Sequence, residues 1–349
     1  MTPSSDSTAS RFNELSCWLA ARLPGSGKPT IAPLAKSAGH SHAIYRVDRG
    51  AHRWVLRIAS ADVASRPGNA DNLHREWQVL KALANTDIPH ARAVLVGDGT
   101  APIDPNFLLL EWVEGTPLQG PLPPSYANRA AARLLTDSIV DTLVAIGEID
   151  WCAVGLGDFG KPTGYLARQF DKARTMLAAQ RTRDTPLLDE LVDALAAAQP
   201  PEHRIGLLHG DFCAPNIMAS SAGPPAVRAV IDWETATIGD PMIDIGYLTA
   251  RWVRPEESPL LAALALGGTR PDDHDCLPPR AYVASRYAEI SGHPLEYLAF
   301  YQGLAMARLA VAVEGFVARR TRQGDADGAQ FFAMIGDAAV AHGTKLMHS

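Results

Sequence analysis

The sequence predicts an α+β fold in two lobes, a small antiparallel-sheet lobe over residues 11–113 and a larger, mostly helical lobe over residues 114–349. Three observations predict it. Short runs of apolar and β-branched residues, punctuated by turns, crowd the first third of the chain. Long stretches with apolar residues every three to four positions dominate the remainder. Between them, Glu114-Gly115-Thr116-Pro117 breaks the pattern.

Residues 1–10 are rich in Ser and Thr and read as a disordered tail. Phe12, Leu15, Leu19 and Leu23 then predict a helix, stopped by Pro24-Gly25. Ile44–Val47 and Trp54–Ile58 read as the strands of a hairpin turned by Asp48-Arg49-Gly50. Asp71-Asn72 can cap a helix from Leu73 to Leu83, and Phe107–Leu110 is a short buried strand. Beyond the break, Leu135, Ile139, Leu143 and Ile146 mark a helix within residues 126–149, and residues 294–320 and 329–347 carry two more. One strand island, Ile205 to Asp232, interrupts them.

Composition excludes several classes. Among 349 residues, 47% are hydrophobic and 20% charged, ordinary values for a globular chain with ample core. A net charge of −6 supplies no basic field for nucleic acid or an anionic membrane. No apolar run approaches the roughly 18 residues of a membrane span, and the first residues lack the basic and apolar segments of a signal peptide. The four cysteines form no CxxC pair, which fits a reduced, cytoplasmic protein.

The chemistry is concentrated in the strand island. His209-Gly210-Asp211 is followed by Asn216, and Asp232-Trp233-Glu234 comes sixteen residues after Asn216. Protein kinases place an Asp as base, an Asn five residues on, and a second Asp on Mg²⁺ with this order and these offsets. If 217–218 pairs with 227–231 as a hairpin, Asn216 and Asp232 emerge together at its open end, two oxygen ligands for Mg²⁺. Asp211 follows as the carboxylate that accepts the proton of an attacking hydroxyl. Turns are rich in Asp and Asn anyway, so the spacing carries this reading and the single residues do not.

A second constellation is independent of the first. Strand periodicity places Val55 and Arg57 on one face, for the adenine and the phosphates respectively. Glu76 sits in the apolar stripe Leu73, Leu80, Leu83, where a carboxylate needs a partner, and Arg57 is the obvious one. Arg stands where Lys is usual, and the loop Ser37–His42 expected over the phosphates has one glycine, Gly39, instead of three. Backbone groups of Glu111 and Val113, after Leu110, are available to the purine.

Other motifs have plainer readings. Gly25–Thr30 imitates a P-loop but has Pro29 where Ser or Thr is required. Asp272–Cys276 reads as a solvated loop, not a metal cluster. Asp240 and Pro241 start a helix, Asp244 braces the His209 loop, and His209 orients that loop.

These residues resemble the aminoglycoside phosphotransferase and choline kinase superfamily over about Leu34 to Leu248. The string Ile231–Pro241 is most similar to kinase-like domains related to those fused to acyl-CoA dehydrogenases, which often carry Val-Leu-Arg as at Val55–Arg57. The resemblance implies a protein-kinase-like fold and ATP- or GTP-dependent phosphorylation of a hydroxylated small molecule. The acceptors it leaves open include a hydroxyacyl-CoA and an antibiotic. From Ile245 to Ser349 the chain has 11 acidic and 10 basic residues, so no acidic surplus marks a polycation site. A nucleotide-binding regulatory module without turnover is the alternative, motivated by Arg57 and the single glycine. Asp211, Asn216 and Asp232, all present, weigh against it.

Overall fold

In the computed structural model the described residues are 5–34, 42–59, 72–97, 99–103, 107–201 and 204–348. The chain divides into two compact units, residues 1–114 with 232–235, and residues 115–231 with 236–349. The second unit therefore does not own Asp232–Thr235, which sequence reading assigned to the helical half.

The first unit contains helix α1 (Ser5–Ala20), strands β1 (Thr30–Pro33), β2 (His42–Arg49) and β3 (His52–Ala59), helix α2 (Asn72–Leu83), and strands β4 (Ala93–Val96) and β5 (Phe107–Glu111). The strands form one antiparallel sheet in the order β1-β2-β3-β5-β4. Alternation in β3 sends Trp54 and Leu56 into a core with Leu15, Leu19, Leu23, Phe107 and Leu109. Helix α1 begins at Ser5, inside the stretch read as a tail. Burying each large apolar side chain is worth about 1.5–3 kcal/mol, against a few tenths for the weak propensity of a Ser or Thr. Once Leu15 and Leu19 are anchored, extending the helix backwards costs little.

The second unit opens with β6 (Thr116–Pro117), α3 (Arg129–Glu148), α4 (Tyr165–Gln180) and α5 (Pro186–Ala197). Strands β7 (Gly206–Leu208), β8 (Ile217–Ala219), β9 (Val227–Val230) and β10 (Thr237–Gly239) follow. Helices α6 (Met242–Ala250), α7 (Pro259–Ala262), α8 (Pro271–Cys276), α9 (Arg280–Ser291), α10 (Leu298–Arg322) and α11 (Ala326–Met347) complete it. The expected hairpin forms: β8 pairs with β9, with β6 on its other edge, while β7 pairs with β10. Helix α6 is buried along its whole length. A Cβ on Gly246 would stand 2.5 Å from Tyr301 Cβ, so the glycine lets α6 cross α10 at close range.

Two plainer motifs resolve here. The Gly25–Thr30 turn is tied down by Arg49, whose guanidinium donates to Gly27 O at 2.9 Å and Ala20 O at 2.6 Å. Asp272–Cys276 is not a solvated loop but lies in α8, with Asp273 and His274 buried. Asp273 accepts the Leu122 N–H at 2.9 Å, and His274 Nε2 meets Gly268 O at 2.9 Å. Pro271 at the helix start and two carboxylates in the first turn favour that helix, a signal outweighed by the polar composition in the sequence reading.

Candidate active site

The face of β3 opposite the core carries Val55 and Arg57. Val55 is half-buried, and Arg57 is buried. The Arg57 guanidinium is enclosed by acceptors: Nη1 donates to both Glu76 carboxylate oxygens at 2.5 Å, and Nη2 to Asp232 Oδ1 at 2.6 Å. Nη2 also meets His42 Nδ1 at 3.2 Å and lies 3.9 Å from Glu234 Oε2. Glu76 is 1% exposed, among the buried Leu73, Val79, Leu80 and Leu83 of α2. Burial pushes its carboxyl up from the ordinary carboxylate range, against the opposing pull of Arg57. Burial also opposes the Arg57 charge, but Glu76, Asp232 and Glu234 outweigh it and hold the guanidinium above its ordinary value. Asp232 has φ 69°, the single non-glycine residue among those described with a positive φ. Such a conformation costs of order 1–3 kcal/mol, so the surroundings must impose it.

Gly39 lies outside the described residues. His42 does not belong to the loop expected over the phosphates; it opens β2 and faces Arg57. Glu111 ends β5 with its N–H donated to Arg92 O at 2.8 Å, while Trp112 N–H donates to Arg53 O at 3.2 Å.

In the second unit, the loop after β7 is fastened at every backbone group that matters. Asp244, 1% exposed in the first turn of α6, accepts the N–H groups of His209 and Gly210 at 2.7 and 2.9 Å. Burial raises the Asp244 carboxyl, and His209 and these two N–H groups act against that shift. His209 Nδ1 accepts the Asp211 N–H at 3.3 Å, so its Nε2 carries the proton donated to Ile231 O at 3.0 Å. Both nitrogens are thereby used in orienting the loop. Gly210 has φ 80°, a left-handed backbone that a side chain disfavours, which explains Gly where protein kinases carry Arg.

Asn216 ends a short 3₁₀ turn, Ala214–Asn216, and its backbone carbonyl accepts the Ile231 N–H at 2.9 Å. Its side-chain Nδ2 donates to Asp211 O at 2.9 Å and Asp211 Oδ2 at 2.8 Å. The amide is thus fixed with its NH₂ toward Asp211. Asp240 accepts the Met242 N–H at 2.9 Å and the Tyr301 hydroxyl at 2.8 Å, a structural role that joins α6 to α10.

Several site residues escaped sequence reading. Glu234 and His42 join the Arg57 cluster through a 3.4 Å contact between them. Arg308, from α10, donates to Gly210 O at 2.9 Å. Arg251, which caps α6, donates from Nη1 to the hydroxyl of Tyr247, one turn earlier, at 3.2 Å. The apolar period of α6 made Tyr247 look like core, and nothing local marks an arginine 98 residues from Gly210 as its neighbour.

The match to known proteins is extensive. The model of the phosphotransferase enzyme family covers residues 33–279. The chain belongs to this family. It is 28% identical over 258 residues to viomycin phosphotransferase of Streptomyces vinaceus, covering 70% of this chain and 80% of that protein. It is 26% identical over 294 residues to acyl-CoA dehydrogenase family member 10 of Mus musculus, covering 83% of this chain. The chain spans only 27% to 39% of the length of the acyl-CoA dehydrogenase relatives it matches. Among solved structures, a proposed aminoglycoside phosphotransferase of Ralstonia eutropha superposes with a TM-score of 0.74 at 25% identity, over 96% of this chain and 98% of that one. The fold is therefore protein-kinase-like, with an antiparallel sheet near the N-terminus and a helical remainder. No helix among the described residues is long and apolar enough to cross a membrane.

Proposed function

We propose that this phosphotransferase moves the γ-phosphate of ATP or GTP to a hydroxyl of a small molecule, with Asp211 as the base. The observation that carries the reading is the fixed Asp211–Asn216 pair. Asn216 holds Asp211 Oδ2 at 2.8 Å, and Oδ1, 3.7 Å from the weakly donating Cys213 thiol, is the oxygen for a hydroxyl proton. Arg57, oriented by Glu76, holds the nucleotide phosphates, Val55 flanks the adenine, and Glu111 and Val113 offer backbone groups to its edge. Asp244 and His209 keep the loop in place.

The donor set fits Mg²⁺. Asn216 Oδ1 and the Asp232 carboxylate are hard oxygen ligands, and among the described residues no group of three or more His, Cys, Asp and Glu could hold a metal by itself. Two protein ligands with the rest from phosphate and water is the usual Mg²⁺ arrangement in phosphoryl transfer. When bound, the ion neutralises charge on the transferring phosphoryl group.

The acceptor class follows the relatives in two directions, an antibiotic as for viomycin phosphotransferase or a hydroxyacyl-CoA as the acyl-CoA dehydrogenase relatives suggest. A ³¹P screen over both classes with Mg-ATP and Mg-GTP separates them. Asp211→Ala should lower turnover by about 10²- to 10⁴-fold while Mg-nucleotide binding persists. Equal turnover in the variant would refute the base, and binding without Asp211-dependent turnover on any acceptor would favour a regulatory module.

A further inference from the structure

We infer that Arg308 is a positioning residue for Asp211, acting through the peptide that joins Gly210 to Asp211; the inference rests on Asp211 being the base. Gly210 creates the need. Its φ of 80° calls for a residue without a Cβ, and a glycine places no steric restraint on the peptide that follows it. That peptide is gripped at both polar ends. Its carbonyl, Gly210 O, accepts from Arg308 Nη2 at 2.9 Å, and its N–H, that of Asp211, donates to His209 Nδ1 at 3.3 Å. The next carbonyl, Asp211 O, accepts from Asn216 Nδ2 at 2.9 Å. His209 and Asn216 belong to the loop and move with it. Arg308 instead ties the Asp211 peptide to a helix outside the loop, as Asp244 ties the two N–H groups before it. All of these residues lie in the second unit.

The anchor itself is held still. Arg308 stands two turns after Tyr301 on α10 and so shares the face that crosses α6. At that crossing a Cβ on Gly246 would lie 2.5 Å from Tyr301 Cβ, and the Tyr301 hydroxyl donates to Asp240 at 2.8 Å. The Arg308 guanidinium carbon lies 5.9 Å from the Tyr247 ring centroid, within cation–π range, which restrains the fork from a second side. Arg308 and Asp244 therefore grip the loop from two helices whose spacing is set by direct contact.

Packing alone does not account for an arginine here. Its Nη1 is buried with no partner among the described residues, and a buried donor in that state has lost its hydration without compensation. What the guanidinium does provide is the Nη2 bond to Gly210 O. A rotation of the Gly210–Asp211 peptide moves the carboxylate that follows it, and misplacement by about 1 Å can cost on the order of 100-fold in rate.

The test measures hydrolysis of Mg-ATP, with water as acceptor, in the full-length protein. Arg308→Met keeps an apolar stem and removes every donor; it should lower kcat by about 10- to 100-fold and leave KM for ATP within about twofold. Arg308→Lys retains a donor for Gly210 O and should recover most of that turnover. In an Asp211→Asn background Arg308→Met should leave the residual turnover as it is, because the group it positions is gone. An unchanged kcat in Arg308→Met, a loss confined to KM, equal turnover in the Lys and Met variants, or the same loss in both backgrounds would overturn the inference. If Arg308→Met does not fold, Arg308→Lys and Arg308→Gln decide. Gln has a donor but is too short to reach Gly210 O, so Lys should retain most turnover and Gln should show the loss. Equal turnover in those two would also overturn it. Wild-type turnover in Asp211→Asn alone removes the base and so falls on the function proposed above. A strongly impaired Asp211→Asn beside an indifferent Arg308→Met falls on this inference alone.

Discussion

The Arg57 cluster and the Asp211 loop solve the same problem, holding charge in a buried place, by opposite means. Around Arg57 the compensation is ionic: Glu76, Asp232 and Glu234 surround one guanidinium. Around Asp211 it is largely a matter of neutral donors. Asp244 is held by two backbone N–H groups, and Asp211 by an amide. The difference suits the tasks proposed for them. A residue that grips phosphate must keep its charge and can share it among several carboxylates. A base must offer one oxygen in one direction, for which short directional bonds from neutral donors serve better than a diffuse ionic field.

The largest effect should come from the ionic side. Glu76→Ala leaves Arg57 buried without its bidentate partner, and breaking a buried pair in this way typically costs about 3–5 kcal/mol. Denaturant unfolding should show that loss in the midpoint, with weaker Mg-nucleotide binding in whatever folded protein remains. A shift below about 1 kcal/mol, the range of an exposed pair, would mean that Asp232 and Glu234 suffice for Arg57 and that the cluster is less dependent on Glu76 than its geometry suggests.

The neutral side should break more gently and in a different observable. Asp244→Asn keeps an acceptor for one of the two N–H groups of His209 and Gly210 but presents an NH₂ to the other. The unsatisfied group costs about 1–3 kcal/mol, and the loop carrying Asp211 loosens. Turnover of Mg-ATP should fall by roughly tenfold or more while KM for the nucleotide changes little. A larger change in KM than in kcat would place Asp244 with the phosphate-holding residues instead.

How far the sequence revealed each region follows from the same contrast. The ionic cluster was half legible, because Glu76 in an apolar stripe demands a cation and Arg57 lies on the nearest strand. Its other members, His42 and Glu234, come from segments where polar residues are common and no periodicity marks them. The loop was legible at Asp211 and Asn216, set by backbone geometry within one short stretch, and at Asp244, in the first turn of α6. Tyr247, Arg251 and Arg308 were not, because side chains on two crossing helices meet only once the helices are packed. The tail was over-read for a related reason: composition at residues 5–10 argued against a helix that anchored residues further along support. Asp272–Cys276 erred in the same direction, since polar composition hid a capped helix whose Asp273 serves Leu122.

The finest probe of the comparison is Arg57→Lys, the residue usual at this position in kinase-like sites. Arg57 bridges Glu76 and Asp232 with two different nitrogens, 2.5 and 2.6 Å from its partners. An ammonium is a single compact point and cannot span both while keeping each bond near ideal length. If the cluster works by sharing one planar cation among several carboxylates, Lys should weaken Mg-ATP binding by a few-fold and lower kcat less than Asp244→Asn does. Asp232 should feel the change most, since its φ of 69° is held against strain and the Arg57 contact is one of the forces holding it. Calorimetric titration of Mg-ATP into both proteins reads the affinity, and the temperature dependence of unfolding reads the strain. Tighter binding in Arg57→Lys would show that the guanidinium is drawn off the phosphates by its carboxylate neighbours, and that the ionic side of the molecule is tuned for stability ahead of affinity.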